Sequence, residues 1–465
     1  MDELVQYVER QKQRFVAELS DLVRIPSVSA LPEHKDDVRR CAQAFVRALN
    51  NVGITETRIF ETGGHPVVYG EWLGAPGAPT ALVYGHYDVQ PVDPIDEWVH
   101  PPFSGIVIGD VIHGRGTADD KGQLVMHIKA AEAHFRLAGR LPLNIKYVFE
   151  GEEEIGSVHF EQFLREERDR LAADVVVVSD TEMFAPDLPA IGYGLRGLCY
   201  LEVEVRGPSR DLHSGTYGGA VANPANVLCR LLADLKDELG TVTAPGFYDD
   251  VRELTSDERA EFARLPFDER AMREEIGVRA LDGEPTFHPL ERMWARPTLD
   301  INGMWSGFTG EGSKTIIPAR ATAKLSCRLV PNQDPDRIAD LIESHLQQQS
   351  PPSVEVAVRR MHGGRPVLTP LSHPAVGAAS SSLQRAFGIQ PVFTRVGGSI
   401  PPVASFQEIL GIPSVLMGVA LAEDRYHAPN EHFELENFYR GILSVAYLWQ
   451  ELADGKWAES QGAAT

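Results

Sequence analysis

Two periodicities alternate along the first part of the chain. Residues 3 to 23 place Leu4, Val8, Phe15, Leu19 and Leu22 at near-helical spacing, and residues 35 to 50 repeat the pattern with Val38, Cys41, Phe45 and Leu49. Such positions form one apolar stripe on a helix. Short, nearly continuous apolar runs then recur: VVYGEW, TALVYGH, LNIKYVFEG, ADVVVVSD and, much later, QPVFTRVGG and IPSVLMGVA. Helical stretches at 122–137 and 158–171 lie between them. Strands buried on both faces read as runs, not as alternation, so the pattern predicts an α/β unit with a mostly parallel sheet covered by helices.

From about residue 197 the rhythm changes. LCYLEVEVRG alternates with period two, NPANVLCRLLADLKDEL is helical, TLDINGMW and RATAKLSCRLV read as strands, DPDRIADLIESHLQQQ as a helix capped by Asp334, and SVEVAVRRM as a strand. The order strand-helix-strand-strand-helix-strand is the α+β ferredoxin-like arrangement. The expected organisation is a larger α/β domain over 1–196 and 367–465, with a smaller domain inserted over 197–366. Inside the insert, residues 245 to 295 form a charged helical excursion with no legible role.

The length supports two domains: 465 residues exceed one ordinary core. A net charge of −22, from 44 basic and 66 acidic residues, repels phosphate backbones and anionic lipid, which argues against nucleic-acid and membrane partners. Four scattered cysteines form no C-x-x-C pair, as expected of reduced thiols. The opening MDELVQYVERQKQRF lacks the basic head and apolar core of a signal peptide, and no apolar run approaches the roughly 20 residues a membrane helix needs. A cytoplasmic location follows as the expectation.

The candidate chemistry sits where the strands stop. His86 follows TALVYG with Asp88 two residues on, placed to hold the second imidazole nitrogen; Glu153 and Glu154 follow LNIKYVFEGE; Asp180 follows ADVVVVS; His427 lies in AEDRYHAPNE after IPSVLMGVA. In open α/β sheets ligands bind beyond the carboxyl ends of strands, so these distant residues can converge on one crevice. Asp119, in the glycine-bracketed GRGTADDKG, belongs with them. Two histidines and at least three acids exceed what one tetrahedral ion requires and suit two ions sharing a carboxylate. Zinc is the default, with manganese or cobalt acceptable to the same mixed donors.

The set GHYDV, GRGTADDKG, EGEEEIGS, VVVSD, DLHSG, GGSIP and HAPNE, in this order, strongly resembles the M20 metallopeptidases, particularly their carnosine dipeptidase and cytosolic dipeptidase branch. The resemblance implies that Asp119 bridges two ions, with His86 and Asp180 completing one site and Glu154 and His427 the other. Counting back from Ile155-Gly156-Ser157, Glu153 matches the general base, and Asp88 matches the acid that clamps the first ligand histidine. His213, in the insert, matches a histidine that reaches the other subunit's active site in dimeric members, which implies a homodimer. Arg328 matches the residue holding the substrate's C-terminal carboxylate, with Gly398 and Ser399 at a helix start assisting. Hydrolysis of an amide next to a free carboxylate is implied, with short peptides as substrates. An N-acyl-amino-acid deacylase, a carboxypeptidase and a catalytically inactive metal-binding scaffold are the alternatives. His65, His100, His113, His127, His134, His159 and His362 have no such context and read as structural.

Overall fold

The structure is a computed structural model and describes residues 2–455 apart from residue 399. The chain separates into two compact units. The first comprises Met1–Tyr193, Thr369–Thr394 and Pro401–Thr465; the second comprises Gly194–Leu368 with Arg395–Ile400.

The first unit is built on strands Glu56–Phe60 (β1), Val67–Trp72 (β2), Thr80–His86 (β3), Asn144–Glu150 (β4), Val175–Val178 (β5), Ala190–Leu195 (β6) and Ser414–Leu416 (β7). Their spatial order is β1-β2-β4-β3-β5-β7-β6. The four central strands β4, β3, β5 and β7 run parallel. The flanking pairs β1–β2, β2–β4 and β7–β6 are antiparallel. The expected mostly parallel sheet is therefore its centre, and all of β5 is buried, as a strand covered on both faces must be.

Helices Glu3–Val23 (α1), Lys35–Val52 (α2), Lys121–Ala138 (α3), Pro374–Phe387 (α4) and Leu435–Asp454 (α5) pack on this sheet. The Asp2 carboxylate accepts the Leu4 N–H at 3.0 Å and starts α1. Gly53, at φ +108°, ends α2 in the left-handed conformation that glycine adopts without strain. Helix α3 has almost no solvent face, so its sequence lacks a strong polar stripe and its interior carries buried His127 and Lys129.

In the second unit, strands Glu355–Gly364, Gly197–Arg206, Arg320–Leu329 and Thr298–Ser306 lie side by side in that order, every neighbour antiparallel. In chain order this is 4-1-3-2, the ferredoxin-like sheet. Helices Pro224–Ala233 and Pro335–Gln349 cover one face, burying Leu228, Leu231, Ile338, Ile342 and Leu346 against Leu201, Val203, Val205 and Leu325. Asp334 caps the second helix, accepting from Arg337 N at 3.0 Å. The charged excursion folds into helices Ser256–Arg264, Glu269–Ile276 and Pro289–Trp294. Ion pairs close it: Arg259 with Glu291, Arg296 with Glu284 at 2.7 Å, and Glu258 with Arg252 and the almost fully buried Arg395. Residues 395–400 thus belong to the second unit, a return of the chain that the sequence pattern did not suggest.

Candidate metal centre

Because β4, β3, β5 and β7 are parallel, their carboxyl ends share one edge of the sheet, and the residues after each are delivered there. His86 is the last residue of β3. Glu153 and Glu154 open a single 3-10 turn after β4, Asp180 lies two residues past β5, and His427 sits in the loop after β7 with a left-handed φ of +61°. Asp119 comes from the loop before α3, joined to Asp120 by a cis peptide bond.

Asp119 is the hinge of the geometry. Its Oδ1 is 3.0 Å from His86 Nε2 and its Oδ2 is 2.9 Å from His427 Nε2. Asp180 Oδ2 stands 3.8 Å from His86 Nε2, and Glu154 Oε2 stands 3.2 Å from His427 Nε2. Two trios result, His86-Asp119-Asp180 and Asp119-Glu154-His427, and within each the ligand atoms lie within 4.8 Å of one another. One carboxylate with an imidazole on each oxygen is the arrangement two ions sharing a bridge require.

Asp88 is placed differently from the simple alternation expected of it, since β3 ends at His86. His86 Nδ1 is nearer the backbone carbonyl of Asp88, at 3.1 Å, than its carboxylate Oδ1, at 3.5 Å. A carbonyl can only accept, so Nδ1 carries the proton and Nε2 keeps its lone pair toward Asp119. The Asp88 carboxylate accepts the N–H groups of Glu153 at 3.3 Å and Glu154 at 3.1 Å. It therefore ties the β3 end to the turn carrying both glutamates.

Electrostatically the crevice is short of positive charge. Burial disfavours the His86 cation, yet the bonds to Asp119, Asp180 and Asp88 lift its pKa well above the ordinary value. Bonds to Asp119 and Glu154 raise His427 to about 10. Burial pushes Glu153 up strongly, aided by Asp180, Glu154 and Glu150, and it raises Glu154 together with Asp119. Asp120 is buried, gives Oδ2 to the His86 N–H at 3.2 Å, and leaves Oδ1 without a partner. These carboxylates around two imidazoles, some forced toward protonation, fit a pair of divalent cations, and the oxygen-and-imidazole donor set suits zinc, manganese or cobalt.

Several supporting residues carried no assigned role in the sequence reading. Glu431 accepts from Arg115 Nη1 at 2.7 Å and from the backbone N–H groups of Gly116, Ala118 and Asp119 at 3.0, 3.1 and 3.2 Å, clamping the loop that presents Asp119. Gln90 donates to Glu154 Oε2 at 2.8 Å. Gly85 is required because a Cβ there would lie 2.4 Å from both Asp120 Oδ2 and Leu124 Cδ2. Arg115 and Glu431 stand inside the quoted GRG and HAPNE motifs, which were the only available signal.

The remaining expected residues belong to the second unit. His213 is exposed, its Nδ1 accepting the Gly215 N–H at 3.0 Å. Arg328 lies near the end of strand Arg320–Leu329 and is half-buried. Arg196, absent from the sequence reading, donates from Nε to the Gly397 carbonyl at 2.9 Å, and burial together with the neighbouring Arg328 charge pulls it down to about 10. Gly398 is exposed in the bend before helix Pro401–Ser405, and Ser399 lies outside the described residues.

Residues 82–451 match the model of peptidase family M20/M25/M40. The chain belongs to that family. Among M20 relatives, it is 33% identical to the Cys-Gly metallodipeptidase dug1 of Schizosaccharomyces pombe, covering 97% of this chain and 98% of that one. It is 31% identical to the Beta-Ala-His dipeptidase of Homo sapiens, covering 97% and 93%. Of solved M20 structures, the metallo-carboxypeptidase Sso-CP2 of Sulfolobus solfataricus superposes with a TM-score of 0.82 at 33% identity, over 97% of this chain and 100% of that one.

Proposed function

We propose that this M20 chain is a metal-dependent dipeptidase that cleaves an amide bond next to a free C-terminal carboxylate. The observation that carries the reading is Asp119, with one oxygen on the His86 imidazole at 3.0 Å, the other on that of His427 at 2.9 Å, and a further acid beside each histidine. His86 and Asp180 would hold one ion, Glu154 and His427 the other, and Asp119 both; zinc is the first choice, manganese or cobalt the next. Two bound divalent ions would acidify the attacking water and polarise the scissile carbonyl.

The protein's own groups do the rest. Glu153, held at the start of its turn by the bond from its N–H to Asp88, takes the proton of the attacking water and hands it to the leaving amine. Its raised proton affinity suits a group that must keep that proton until the C–N bond breaks. His213 donates to the oxyanion of the tetrahedral intermediate of the other subunit. Arg328 takes the substrate carboxylate with a planar fork, assisted by the backbone of Gly398 and Ser399.

The homodimer this requires is supported by the second unit's edge strand Thr298–Ser306, which pairs on one side only and exposes Ile301, Met304 and Trp305, a surface that proteins normally cover. A cytoplasmic location is supported by four free cysteines, three of them buried, and no helix among the described residues is long and apolar enough to cross a membrane.

The likeness to a metallo-carboxypeptidase favours one second reading, action on longer peptides. A panel of dipeptides, carboxy-amidated dipeptides, longer peptides and N-acyl amino acids separates the cases. Free dipeptides should turn over fastest, amidated ones poorly, and a chelator should abolish all activity; preferred cleavage of long peptides or acylated amino acids moves the assignment to those classes. Inactivity on every amide with full metal content would make the chain a scaffold. Glu153→Gln should keep its metal and lose about 10²- to 10⁴-fold in turnover. Full turnover in that variant refutes the base assignment.

A further inference from the structure

Outside the main sheet, strands Ile106–Ile108, Val111–His113 and His432–Glu434 form a small antiparallel sheet in which His113 lies opposite His432. On one side of this pair Gly114 donates its N–H to the Glu431 carbonyl, and further along Leu435 donates to that of Asp110, both at 2.9 Å. Bonded and non-bonded pairs alternate in an antiparallel ladder, so His113 and His432 occupy a non-bonded pair, where facing side chains come closest. Their ring centroids are 5.6 Å apart, and a third imidazole, His100, lies 5.3 Å from His113.

His34, His86, His159 and His427 lie against carboxylates, whereas none of His100, His113 and His432 forms an ion pair with one among the described residues. His432 Nδ1 is 3.0 Å from the Asn430 carbonyl, so it holds the proton and Nε2 presents a lone pair. Burial, with His432 and His100 alongside, lowers the His113 pKa and keeps that ring neutral. Glu434 shares the strand face of His432 two residues on and is the one acid that face adds. Neutral imidazoles suit zinc, copper or nickel and are poor ligands for magnesium or calcium.

We propose that His113 and His432, joined by His100 after a turn about its side-chain torsions, form a second transition-ion site distinct from the Asp119 centre. The ladder pair provides two ligands at fixed spacing, and the loop residue closes the third. A bound ion there would pin the strand leading into the Asp119 loop to the strand that follows Glu431.

Calorimetric titration of Zn²⁺ into zinc-loaded holoenzyme, with Mg²⁺ as control, tests this. One additional single-site isotherm for Zn²⁺ and none for Mg²⁺ is the expected result. The His113→Ala/His432→Ala variant should weaken that isotherm more than about tenfold while retaining turnover, which shows it folded. His100→Asn, a loop substitution that leaves the ladder pair in place, should weaken it less. Absence of the extra isotherm in the wild type, equal response to Mg²⁺, or an isotherm unchanged in the double variant would overturn the site.

Discussion

His86 and His127 belong to the same unit and are each only 1% exposed, yet their surroundings drive them in opposite directions. His127, inside α3, has a single bond, from Nε2 to Ser179 Oγ at 2.8 Å, and burial pulls its pKa down to about 3. His86, at the strand ends, is equally desolvated but faces Asp119, Asp180 and Asp88, and its proton affinity rises instead. Burial alone makes an imidazole neutral; burial among acids makes it a cation or a metal ligand. The His100-His113-His432 group is partly exposed, and Glu434 is the one acid that its ladder face adds. What a histidine does in this chain is therefore set by the acids placed around it, and the crevice is the place where the fold concentrates them.

The widest separation of the two regions should come from Asp119→Ala. It removes the residue common to both candidate trios, so metal content by elemental analysis should fall to less than half of the wild-type value. Turnover should fall at least about a thousandfold, since several kcal/mol of charge stabilisation disappear with the ions. The α3 interior should be untouched. Retention of full metal by this variant would mean that Asp119 is not the bridge.

Glu431→Gln should act more weakly, through position. Arg115 and Glu431 are an almost fully buried ion pair, and removing one charge leaves the other uncompensated, which costs about 3–5 kcal/mol of stability. The Asp119 N–H and two others also lose a charged acceptor, so metal affinity should drop about 10- to 100-fold while Glu153 remains in place. Added metal should restore most of the turnover. If excess metal restores none, Glu431 has a role beyond holding the loop.

How much of this was legible followed from where the signal resides. The TALVYGH and ADVVVVSD runs were readable because strands buried on both faces leave unbroken apolar text. ETRIF, now β1, alternates at a half-exposed edge, and AIGYGL, now β6, carries two glycines, so neither stood out. The candidate ligands His86, Glu154, Asp180 and His427 were readable because each follows a strand at the same edge, and Asp119 through its glycine-bracketed motif before α3. Glu431, Gln90 and Arg196 were not, because they act through backbone groups or neighbours far away in sequence; Glu431 holds Asp119 from 312 positions away. The ferredoxin-like insert followed from its element order, whereas the burial of Arg395 against Glu258, 137 residues away, had no local pattern. His113 and His432 acquired a common context only once the ladder set them opposite each other.

The smallest expected effect tests the other side of the comparison. Ser179 Oγ donates its one proton to the Met417 carbonyl at 3.2 Å, so the bond with His127 requires the imidazole to donate from Nε2, and Nδ1 has no partner. A folded-state pKa of about 3 against about 6.5 in the unfolded chain means that between these values the unfolded state binds a proton the folded state refuses. Stability therefore falls as pH drops through 6.5 toward 3, by about 1.4 kcal/mol per unit well inside that window. His127→Gln removes this titration while keeping a neutral donor for Ser179. In chelator-treated protein, denaturant unfolding at pH 7.5 and pH 5 should show the variant gaining about 2 kcal/mol on the wild type over that interval, whatever constant offset its packing imposes. The difference between the two pH values isolates the imidazole, because the metal-site acids titrate identically in both proteins. A constant gap would mean that the folded protein accepts a proton at His127 as readily as the unfolded chain does, and that burial without acids does not keep an imidazole neutral here.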